Sequence, residues 1–509
     1  MTETILQETR APRASVHYAP GDCALLIGPS QVLLRHLEAV RLVGLRPALL
    51  FTDLPDLDSI PRGLRALGGR PERIRGWMGA FTASMKTAKE PADLAPLSFH
   101  DDGHFDWVLD FSDCKPAQVA PPGWYVLTGG DHAGLKKALL EIARYLREGY
   151  DKPRYFSLDA DKCAHARQGV AGCSACLHAC PAGAITPGKE TVAIEPHLCQ
   201  GCGTCALVCP SGAVRHVVPG TASELRRLAG LLAEGHETAG IWIVQAGQEV
   251  DVPPGWLAFP VTEPASLGVE FWLAALALGG RRVAIAADGL PDVTRAALAR
   301  QSAWAKALLA GLGYPAALGL EDTAEALADI PAMPDLPPVE LPDGDDKRAL
   351  LLAAVEALLA PVQAPVEIAL PDGPLGTVAV AAEKCTLCAV CVRLCPTGAL
   401  HLPGSVSQLA FREDKCLQCG LCANGCPERA VSLAPRLLTA KGARQTPRVV
   451  ALAEMFACAG CGAIFATRAM VARSRALMAD HPMFQGENAR LMELCNDCRQ
   501  RAMVGAPPF

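Results

Sequence analysis

The sequence predicts a mixed fold, α/β plus α+β, in which two α/β domains with parallel sheets are interleaved with small cysteine-rich modules. Apolar runs of strand length alternate with amphipathic helical patterns in two separate regions, and 20 of the 22 cysteines fall into three clusters. The 509 residues suffice for several domains, because one domain usually takes about 100 to 200 residues. The predicted boundaries are 1–155 and 219–330 for the α/β domains, 156–218 and 379–435 for the two cysteine modules, 331–378 for a proline-rich linker with a short helix, and 436–509 for a C-terminal four-cysteine segment.

In the first α/β region, the apolar run CALLIG at 23–28 is followed by a helical pattern and by a second apolar run, PALLF, at 47–51. This order of strand, helix and strand is typical of a parallel β-α-β unit. Further strands are predicted at 105–111 and 124–127, and a closing amphipathic helix at 131–149.

The second α/β region repeats the alternation, with buried strands predicted at 240–246, 256–261 and 282–287 and helices at 223–235 and 291–313. A mostly parallel sheet is therefore expected here as well.

Neither α/β region carries a credible phosphate-binding loop. The run GLGYPA at 311–316 ends a helix, whereas the dinucleotide fingerprint follows a strand and opens a helix. Gly129 and Gly134 have the spacing of a P-loop, but Leu135 follows them where that loop needs lysine. A bound flavin or nucleotide stays an alternative without a motif to support it.

Charge and hydropathy exclude several classes of partner. The formal net charge of -6 comes without any block of basic residues, so no nucleic-acid partner is predicted. The apolar stretch at 271–287 is interrupted by charge before it could span a membrane, so no membrane span is expected. The first residues lack the apolar core of a signal peptide, which predicts a cytoplasmic protein.

In a reducing compartment, clustered cysteines are better explained by metal binding than by disulfides. Cys23 and Cys114 stand outside the clusters, and both are expected to be buried free thiols.

The second cysteine module contains the run C-x2-C-x2-C-x3-C-P twice, beginning at Cys385 and at Cys416. This is the bacterial ferredoxin pattern, in which three close thiolates bind one 4Fe-4S cluster and the fourth cysteine binds the other cluster. The predicted ligand sets are Cys385, Cys388, Cys391 with Cys426, and Cys416, Cys419, Cys422 with Cys395.

The first cysteine module has the same pattern with one departure, because nine residues instead of two separate Cys163 from Cys173. Cys176 and Cys391 are offset by 215 residues, Cys199 and Cys416 by 217, so the two modules are an internal repeat. The predicted ligand sets are Cys163, Cys173, Cys176 with Cys209, and Cys199, Cys202, Cys205 with Cys180. Together, the two modules predict four 4Fe-4S clusters.

Two alternatives concern the stretched half-site. Cys163 is not a ligand in one of them, and the first cluster is then incomplete or held partly by His165. The inserted loop also places His165 and Arg167 near a cluster, where they would raise its reduction potential or form a docking surface, unless the loop is merely solvated.

The third cysteine cluster consists of two C-x2-C pairs separated by 33 residues. Two such knuckles suit a tetrahedral four-thiolate site, and zinc in a structural role is favoured over a single iron. The predicted ligands are Cys458, Cys461, Cys495 and Cys498, whereas His481 is expected to be a surface residue.

The sequence from Cys385 to Cys498 resembles a family of bacterial cytoplasmic 4Fe-4S dicluster ferredoxin-like proteins encoded beside molybdenum-dependent formate dehydrogenases and their TorD-like chaperones. The resemblance lies in KCTLCAVCVRLCPTGAL, DKCLQCGLCANGCPERAVSL, FACAGCGAIFATR and ELCNDCR, and in the stretched half-site that begins at Cys163. It implies a redox protein partner in formate oxidation, on the strength of gene association alone.

These observations predict an iron-sulfur protein that relays single electrons through four clusters between a partner oxidoreductase and an acceptor, rather than a stand-alone catalyst. One alternative is an oxidoreductase subunit whose α/β domain binds flavin or a nucleotide, which an optical flavin spectrum would reveal. Another is a maturation or scaffold factor for a metalloenzyme, whose clusters would not be reversibly reducible.

Overall fold

The fold is described from a computed structural model, for residues 14–54, 60–112, 119–128, 130–236, 240–404 and 407–504. Cys114 lies outside these residues. The chain divides into two compact units: the first comprises 1–156, 180–186 and 194–202, and the second comprises 157–179, 187–193 and 203–509.

The first unit is built around a parallel sheet of five strands in the order β4-β3-β2-β8-β9. Every residue of β2 and β8 is buried, as expected for central strands of a parallel sheet covered on both faces. The predicted α/β class is thus confirmed in this region. The elements are β1 (Ser15–Tyr18), β2 (Cys23–Gly28), α1 (Ser30–Leu42), β3 (Arg46–Phe51), β4 (Arg65–Gly68), β5 (Pro71–Arg75), β6 (Thr82–Met85), β7 (Ala92–Asp93), β8 (Trp107–Asp110), β9 (Trp124–Val126), α2 (His132–Glu148) and β10 (Tyr150–Pro153).

The first cysteine module is made of short elements. They are β11 (Phe156–Leu158), β12 (Ala166–Arg167), β13 (Val170–Ala171), α3 (Ala175–Ala179), β14 (Ile185–Pro187), β15 (Val192–Ile194), α4 (Thr204–Val208) and β16 (Val214–His216). The helices α3 and α4 pack against each other within the second unit.

A second parallel sheet, of four strands in the order β18-β17-β19-β20, forms the core of the second unit. All nine residues of α6 are buried, which explains why eight of them are apolar and Glu270 is the exception. The helix α9, from the predicted linker, packs on α6 and buries Leu350, Leu351 and Leu358 in the same core. The elements are α5 (Thr221–Leu231), β17 (Gly240–Gln245), β18 (Trp256–Val261), α6 (Val269–Ala277), β19 (Arg282–Ile285), α7 (Asp292–Gly311), β20 (Leu318–Leu320), α8 (Ala324–Leu327) and α9 (Lys347–Leu359).

The second cysteine module and the C-terminal segment also belong to the second unit. The long strand β25 pairs antiparallel with β21 and β22, and β24 pairs with β23 and β26. The elements are β21 (Glu367–Ala369), β22 (Gly376–Val380), α10 (Val390–Leu394), β23 (Leu400–His401), β24 (Gln408–Phe411), α11 (Leu421–Asn424), β25 (Val431–Leu438), α12 (Lys441–Gln445), β26 (Arg448–Leu452), β27 (Met455–Ala457), β28 (Ile464–Thr467), α13 (Arg468–Met478) and α14 (Asn496–Met503).

Among the described residues, no helix combines the length and the apolar character needed to cross a bilayer.

Candidate metal centres

In the second cysteine module, the eight predicted ligands surround two separate cavities. One cavity is lined by Cys385, Cys388, Cys391 and Cys426, and the other by Cys395, Cys416, Cys419 and Cys422. The grouping is the crossed one, in which the fourth cysteine of each run joins the three cysteines of the other run. The remaining lining of both cavities is mostly apolar, with Leu409 and Val431 in the first and Leu400 and Phe411 in the second.

The backbone turns tightly around each cavity because selected residues adopt left-handed conformations. Leu387 and Ala389 have φ of 51° and 60°, and Gln418 and Gly420 have φ of 54° and 85°. These residues occupy equivalent places in the two runs, between the first two cysteines and directly after the second. Only glycine adopts this region at no cost, so its use by three other residue types indicates a strong local constraint.

The thiols around the cavities are poor proton donors in this environment. Burial, and then the neighbouring cysteines, raise the pKa of Cys391 to about 12. Burial, followed by Cys416 and Cys419, raises the pKa of Cys422 further. Four thiolates in one apolar cavity need a compensating positive charge, and the irons of a cluster supply it, so this donor set fits a 4Fe-4S cluster.

The seven extra residues of the stretched half-site form a β-hairpin. β12 pairs antiparallel with β13, and the two-residue turn of Gln168 and Gly169 has positive φ at both positions, as a type I′ turn requires. At its base, the backbone N–H of Cys173 donates to the carbonyl of Ala164 at 2.8 Å. Because the insertion folds back on itself, Cys163 and Cys173 end up close despite the long spacing.

All four predicted ligands of this set lie together in the second unit. The pKa of Cys176 is raised to about 12, mainly by burial and then by its proximity to Cys209, Cys173 and Cys163. The Nδ1 atom of His165 hydrogen-bonds to the backbone carbonyl of Cys173 at 3.0 Å, so that nitrogen carries the proton. His165 therefore supports the backbone of a predicted ligand.

The last predicted set is divided by the chain's organisation. Cys180, Cys199 and Cys202 belong to the first unit, whereas Cys205 belongs to the second. Within the first unit, burial raises the pKa of Cys199, and the neighbouring thiols of Cys202 and, to a smaller extent, Cys180 add to the rise. The inclusion of Cys205 stays a prediction.

Lys152 lies beside the Cys199 loop. This lysine is 4% exposed and donates from Nζ to the backbone carbonyls of His197 and Cys199 at 2.8 and 2.7 Å. Burial lowers its pKa to about 8.

Two cations from the start of α9 lie beside predicted ligand loops in the second unit. Lys347 donates to the carbonyls of Ala206 and Leu207 at 2.6 and 2.7 Å, between Cys205 and Cys209. Arg348 donates twice to the carbonyl of Asp414. Burial raises the pKa of Cys416, and the hydrogen bonds from Gln418 and the charge of Arg348 oppose that rise. Sequence reasoning did not identify these cations, because only tertiary packing brings them to the cysteines.

Gln418 was also missed, although its place between two predicted ligands was a usable signal. Its Nε2 donates to the Sγ of Cys416 at 3.2 Å and to the carbonyl of Thr377 at 3.0 Å. Hydrogen bonds to cluster sulfurs are among the features that set reduction potentials.

The four cysteines of the C-terminal segment converge, with their Sγ atoms all within 4.8 Å of one another. A tetrahedral site with metal–sulfur bonds of about 2.3 Å places its sulfurs about 3.8 Å apart, and the Cys461–Cys495 pair is separated by 3.8 Å. Burial raises the pKa of Cys458, but backbone N–H groups of Cys495, Cys461 and Gly460 outweigh it and lower the pKa to about 6. The donor set fits a four-thiolate metal site, and this geometry suits zinc and iron equally.

Besides the pairing of β26 with β24, two side-chain contacts join the C-terminal segment to the second cysteine module close to the Cys385 set. The buried Thr467 hydroxyl donates to the carbonyl of Thr386 at 2.8 Å, next to Cys385. Arg473 forms an ion pair with Glu428 at 3.1 Å. Glu428 also lines the cavity of the Cys385 set.

Two further features of the first unit bear on possible chemistry there. Cys23 is a fully buried free thiol, as predicted. In the first sheet, the strand order reverses between β2 and β8, the place where open α/β sheets bind ligands. Phe111 fills this place: a Cβ on Gly28 would lie 2.8 Å from the Cβ of Phe111, and the Phe111 ring stacks on His36.

Comparison with known proteins identifies the nature of the cysteine modules. Residues 171–213 and 384–430 match the 4Fe-4S dicluster domain family. No curated protein matches the chain. A solved structure with partial similarity is the formate dehydrogenase - heterodisulfide reductase - formylmethanofuran dehydrogenase complex from Methanospirillum hungatei, at 16% identity, covering 61% of this chain and 90% of that chain with a TM-score of 0.18. A superposition of that quality carries no argument about function.

The family match confirms the prediction of 4Fe-4S clusters in two places along the chain and supports electron transfer. It starts at residue 171, so Cys163 and most of the hairpin lie outside it.

Proposed function

We propose that the chain is an electron-transfer protein that relays single electrons through four 4Fe-4S clusters between a partner oxidoreductase and an acceptor. A 4Fe-4S cluster accepts and gives up one electron at a time without a change of ligands. The proposed ligand sets are Cys163, Cys173, Cys176 with Cys209; Cys199, Cys202, Cys205 with Cys180; Cys385, Cys388, Cys391 with Cys426; and Cys416, Cys419, Cys422 with Cys395. Zinc at Cys458, Cys461, Cys495 and Cys498 completes the proposal in a structural role.

The observation that carries the proposal is the pair of cavities in the second module, each lined by four cysteines in crossed order. Zinc sites do not need eight thiolates in this arrangement, whereas two cubanes in one ferredoxin domain do. The proposed partner is a formate dehydrogenase, on the basis of the family resemblance of the C-terminal third.

The decisive experiment measures iron, acid-labile sulfide and zinc per chain in anaerobically purified protein and records EPR spectra during stepwise reduction. About sixteen irons with reversibly reducible signals are expected from four cubanes. About twelve irons, or a three-iron signal, would contradict a complete cluster in the stretched half-site. Clusters that cannot be reduced and reoxidised would favour a scaffold or maturation factor.

A second candidate function, an oxidoreductase subunit with an organic cofactor, has one observation in its favour. The second unit contains a cavity of about 440 Å³ lined by Cys173, Cys209 and Cys419 together with Trp304 and Arg300. Trp304 is 2% exposed, and its indole Nε1 has no hydrogen-bond partner among the described residues. A planar redox cofactor in this cavity would lie beside ligands of two clusters.

The optical spectrum of the purified protein after removal of the iron separates the two candidates. A stoichiometric flavin band would establish the second one, and Trp304→Ala would then release the flavin. A spectrum without an organic chromophore leaves the electron-transfer protein.

A further inference from the structure

The hairpin of residues 164–172 does more than close the gap between two cysteines. Within the second unit, its outer strand lies against α11 of the second cysteine module. The side-chain amide of Asn424 donates to the carbonyl of Ala171 at 2.8 Å. The hairpin thus joins the two modules at a point where both carry predicted ligands.

The contact has a small apolar core of its own. Ala164 from the hairpin is buried with Leu394, Leu417 and Leu421 from the second module, and Val170 packs against them. The fit is close, because a Cβ on Gly172 would lie 2.6 Å from the Cγ of Leu421.

Two predicted ligands flank this apolar core. Cys173 of the first module and Cys419 of the second module both pack against it. The same two cysteines line the cavity of about 440 Å³. The Cys163 set and the Cys416 set are therefore neighbours, although their runs are more than two hundred residues apart.

An isolated two-stranded hairpin is marginally stable in water. The other three half-sites have two residues between their first cysteines and no such hairpin. Contacts beyond the ligand loop hold the hairpin in place, namely its docking on α11 and the hydrogen bond from the backbone N–H of Ala166 to the carbonyl of Glu190 at 3.1 Å. Ligand spacing alone does not require the docking on α11.

We propose that the inserted hairpin is an intrachain clamp that fixes the Cys163 ligand set against the Cys416 ligand set, so that single electrons pass directly between the two modules. The inference rests on the proposed function. In the exchange, one site loses the electron that the other gains, and no proton moves and no bond breaks. The first electron comes from an external one-electron reductant, for which dithionite serves as the probe.

The test compares Val170→Asp with Gln168→Asn in the full chain. Val170→Asp puts a charge into the apolar contact, whereas Gln168→Asn changes the exposed tip and preserves a residue type that tolerates positive φ. Hydrogen exchange of the peptide covering 164–172 is expected to be slow in the unaltered protein and in Gln168→Asn. It should become at least about tenfold faster in Val170→Asp and about fivefold faster in Asn424→Ala, which loses one exposed hydrogen bond.

A magnetic readout tests the electron route. In a background with Cys202→Ser and Cys388→Ser, which removes one ligand from each of the other two sets, spin coupling between the remaining reduced clusters reports their proximity. Coupling is expected in this background and should be lost when Val170→Asp is added. If the background does not fold, the exchange experiment decides alone.

Failure of the clamp and failure of the proposed function are distinguishable. The clamp would be overturned, and the electron carrier left intact, if all variants kept the iron content of the unaltered protein while hydrogen exchange of the hairpin was rapid in every one of them, Gln168→Asn included. Loss of iron in Val170→Asp would also overturn it, because the hairpin would then serve ligand retention. Unaltered protein without reducible clusters would refute the proposed function itself.

Discussion

The stretched half-site and its three regular counterparts are predicted to supply the same kind of ligand set, and their backbones bring the first two cysteines together by different routes. The regular half-sites turn with left-handed residues at two equivalent places: Leu387 and Ala389, Gln418 and Gly420, and Gly201 and Gly203. In the stretched half-site, the equivalent residues Gly172 and Ser174 do not have positive φ. The hairpin has replaced the tight turn.

Spacing between cysteines is therefore a means of placing sulfurs and not a property of the cluster. Two backbone solutions bring the first two cysteines together. One is a short turn that uses left-handed residues, and the other is a longer loop that folds back on itself. The longer route additionally provides a surface, and in this chain that surface contacts the other module.

The largest expected effect tests whether the two routes are equivalent. Cys176→Ser in the stretched half-site and Cys391→Ser in the regular one should each remove one cubane, about four of sixteen irons. Iron and sulfide analysis measures the loss. As a control, Cys23→Ser changes a buried thiol outside the predicted ligand sets and should keep all the iron. Equal iron content in Cys176→Ser and in the unaltered protein would show that the stretched half-site holds no complete cluster.

The C-terminal segment offers a contrast between structural and redox metal. Cys461→Ser should abolish binding of about one zinc per chain and unfold residues around it, because a structural zinc contributes folding free energy outright. The iron content should stay unchanged. Metal analysis together with proteolysis measures both, and an EPR signal from a single iron at this site would replace zinc in the proposal.

The partly buried carboxyl of Glu263 is expected to make the stability of the second unit depend on pH. Burial raises the pKa of this carboxyl from 4.5 to about 7, so the folded state binds more protons than the unfolded state between these values and stability falls as pH rises through this window. Glu263→Gln should therefore raise stability by about 1 kcal/mol at pH 8, discounted for partial exposure, and have little effect near pH 4. Thermal unfolding of Glu263→Gln and of the unaltered protein at both pH values measures this difference in stability. An equal change in stability at pH 4 and pH 8 would contradict the raised pKa of Glu263.

Arg348 sharpens the comparison between the two ligand sets of the second module. The Cys416 set has this cation beside it, whereas the cavity of the Cys385 set is lined by Glu428. Arg348→Met should lower the potential of the Cys416 cluster by roughly 50 mV, equivalent to about 1 kcal/mol for one electron. Arg348→Lys keeps the charge and should shift the potential less; identical shifts in both variants would assign the effect to lost hydrogen bonds. EPR-monitored redox titration provides the values.

The smallest expected effect comes from one equivalent position in the two modules. Gln418 donates to the Sγ of Cys416, whereas Gly201 holds the corresponding place in the first module. Gln418→Gly suits the left-handed backbone and should lower the potential by roughly 20 mV, the order expected for one weak hydrogen bond. The reciprocal change Gly201→Gln should destabilise the first unit, because a Cβ there would lie 2.7 Å from the Tyr155 ring.

The sequence predicted the features that depend on local pattern. The buried strand at 23–28 and the parallel alternation around it were readable because burial on both faces leaves a continuous apolar run. The ferredoxin runs were readable because metal ligation ties residue type to spacing. In contrast, the docking of the hairpin on Asn424 and the placement of Arg348 beside Cys416 arise from contacts between distant parts of the chain. The pattern within one stretch of sequence does not predict contacts between stretches that are far apart in the chain.

The hydrogen bond from Thr467 to Thr386 has a consequence for biogenesis. The loop that carries Cys385 is complete about eighty residues before Thr467 is synthesised, at a rate of roughly 5 to 20 residues per second. The last cysteine of its module, Cys426, is made about forty residues before Thr467, so in the second half of this interval all eight cysteines are present while the loop still lacks its buried tether. If this module binds the proposed clusters, the order of synthesis leaves an interval in which iron and sulfide can enter before this hydrogen bond ties the C-terminal segment to the loop.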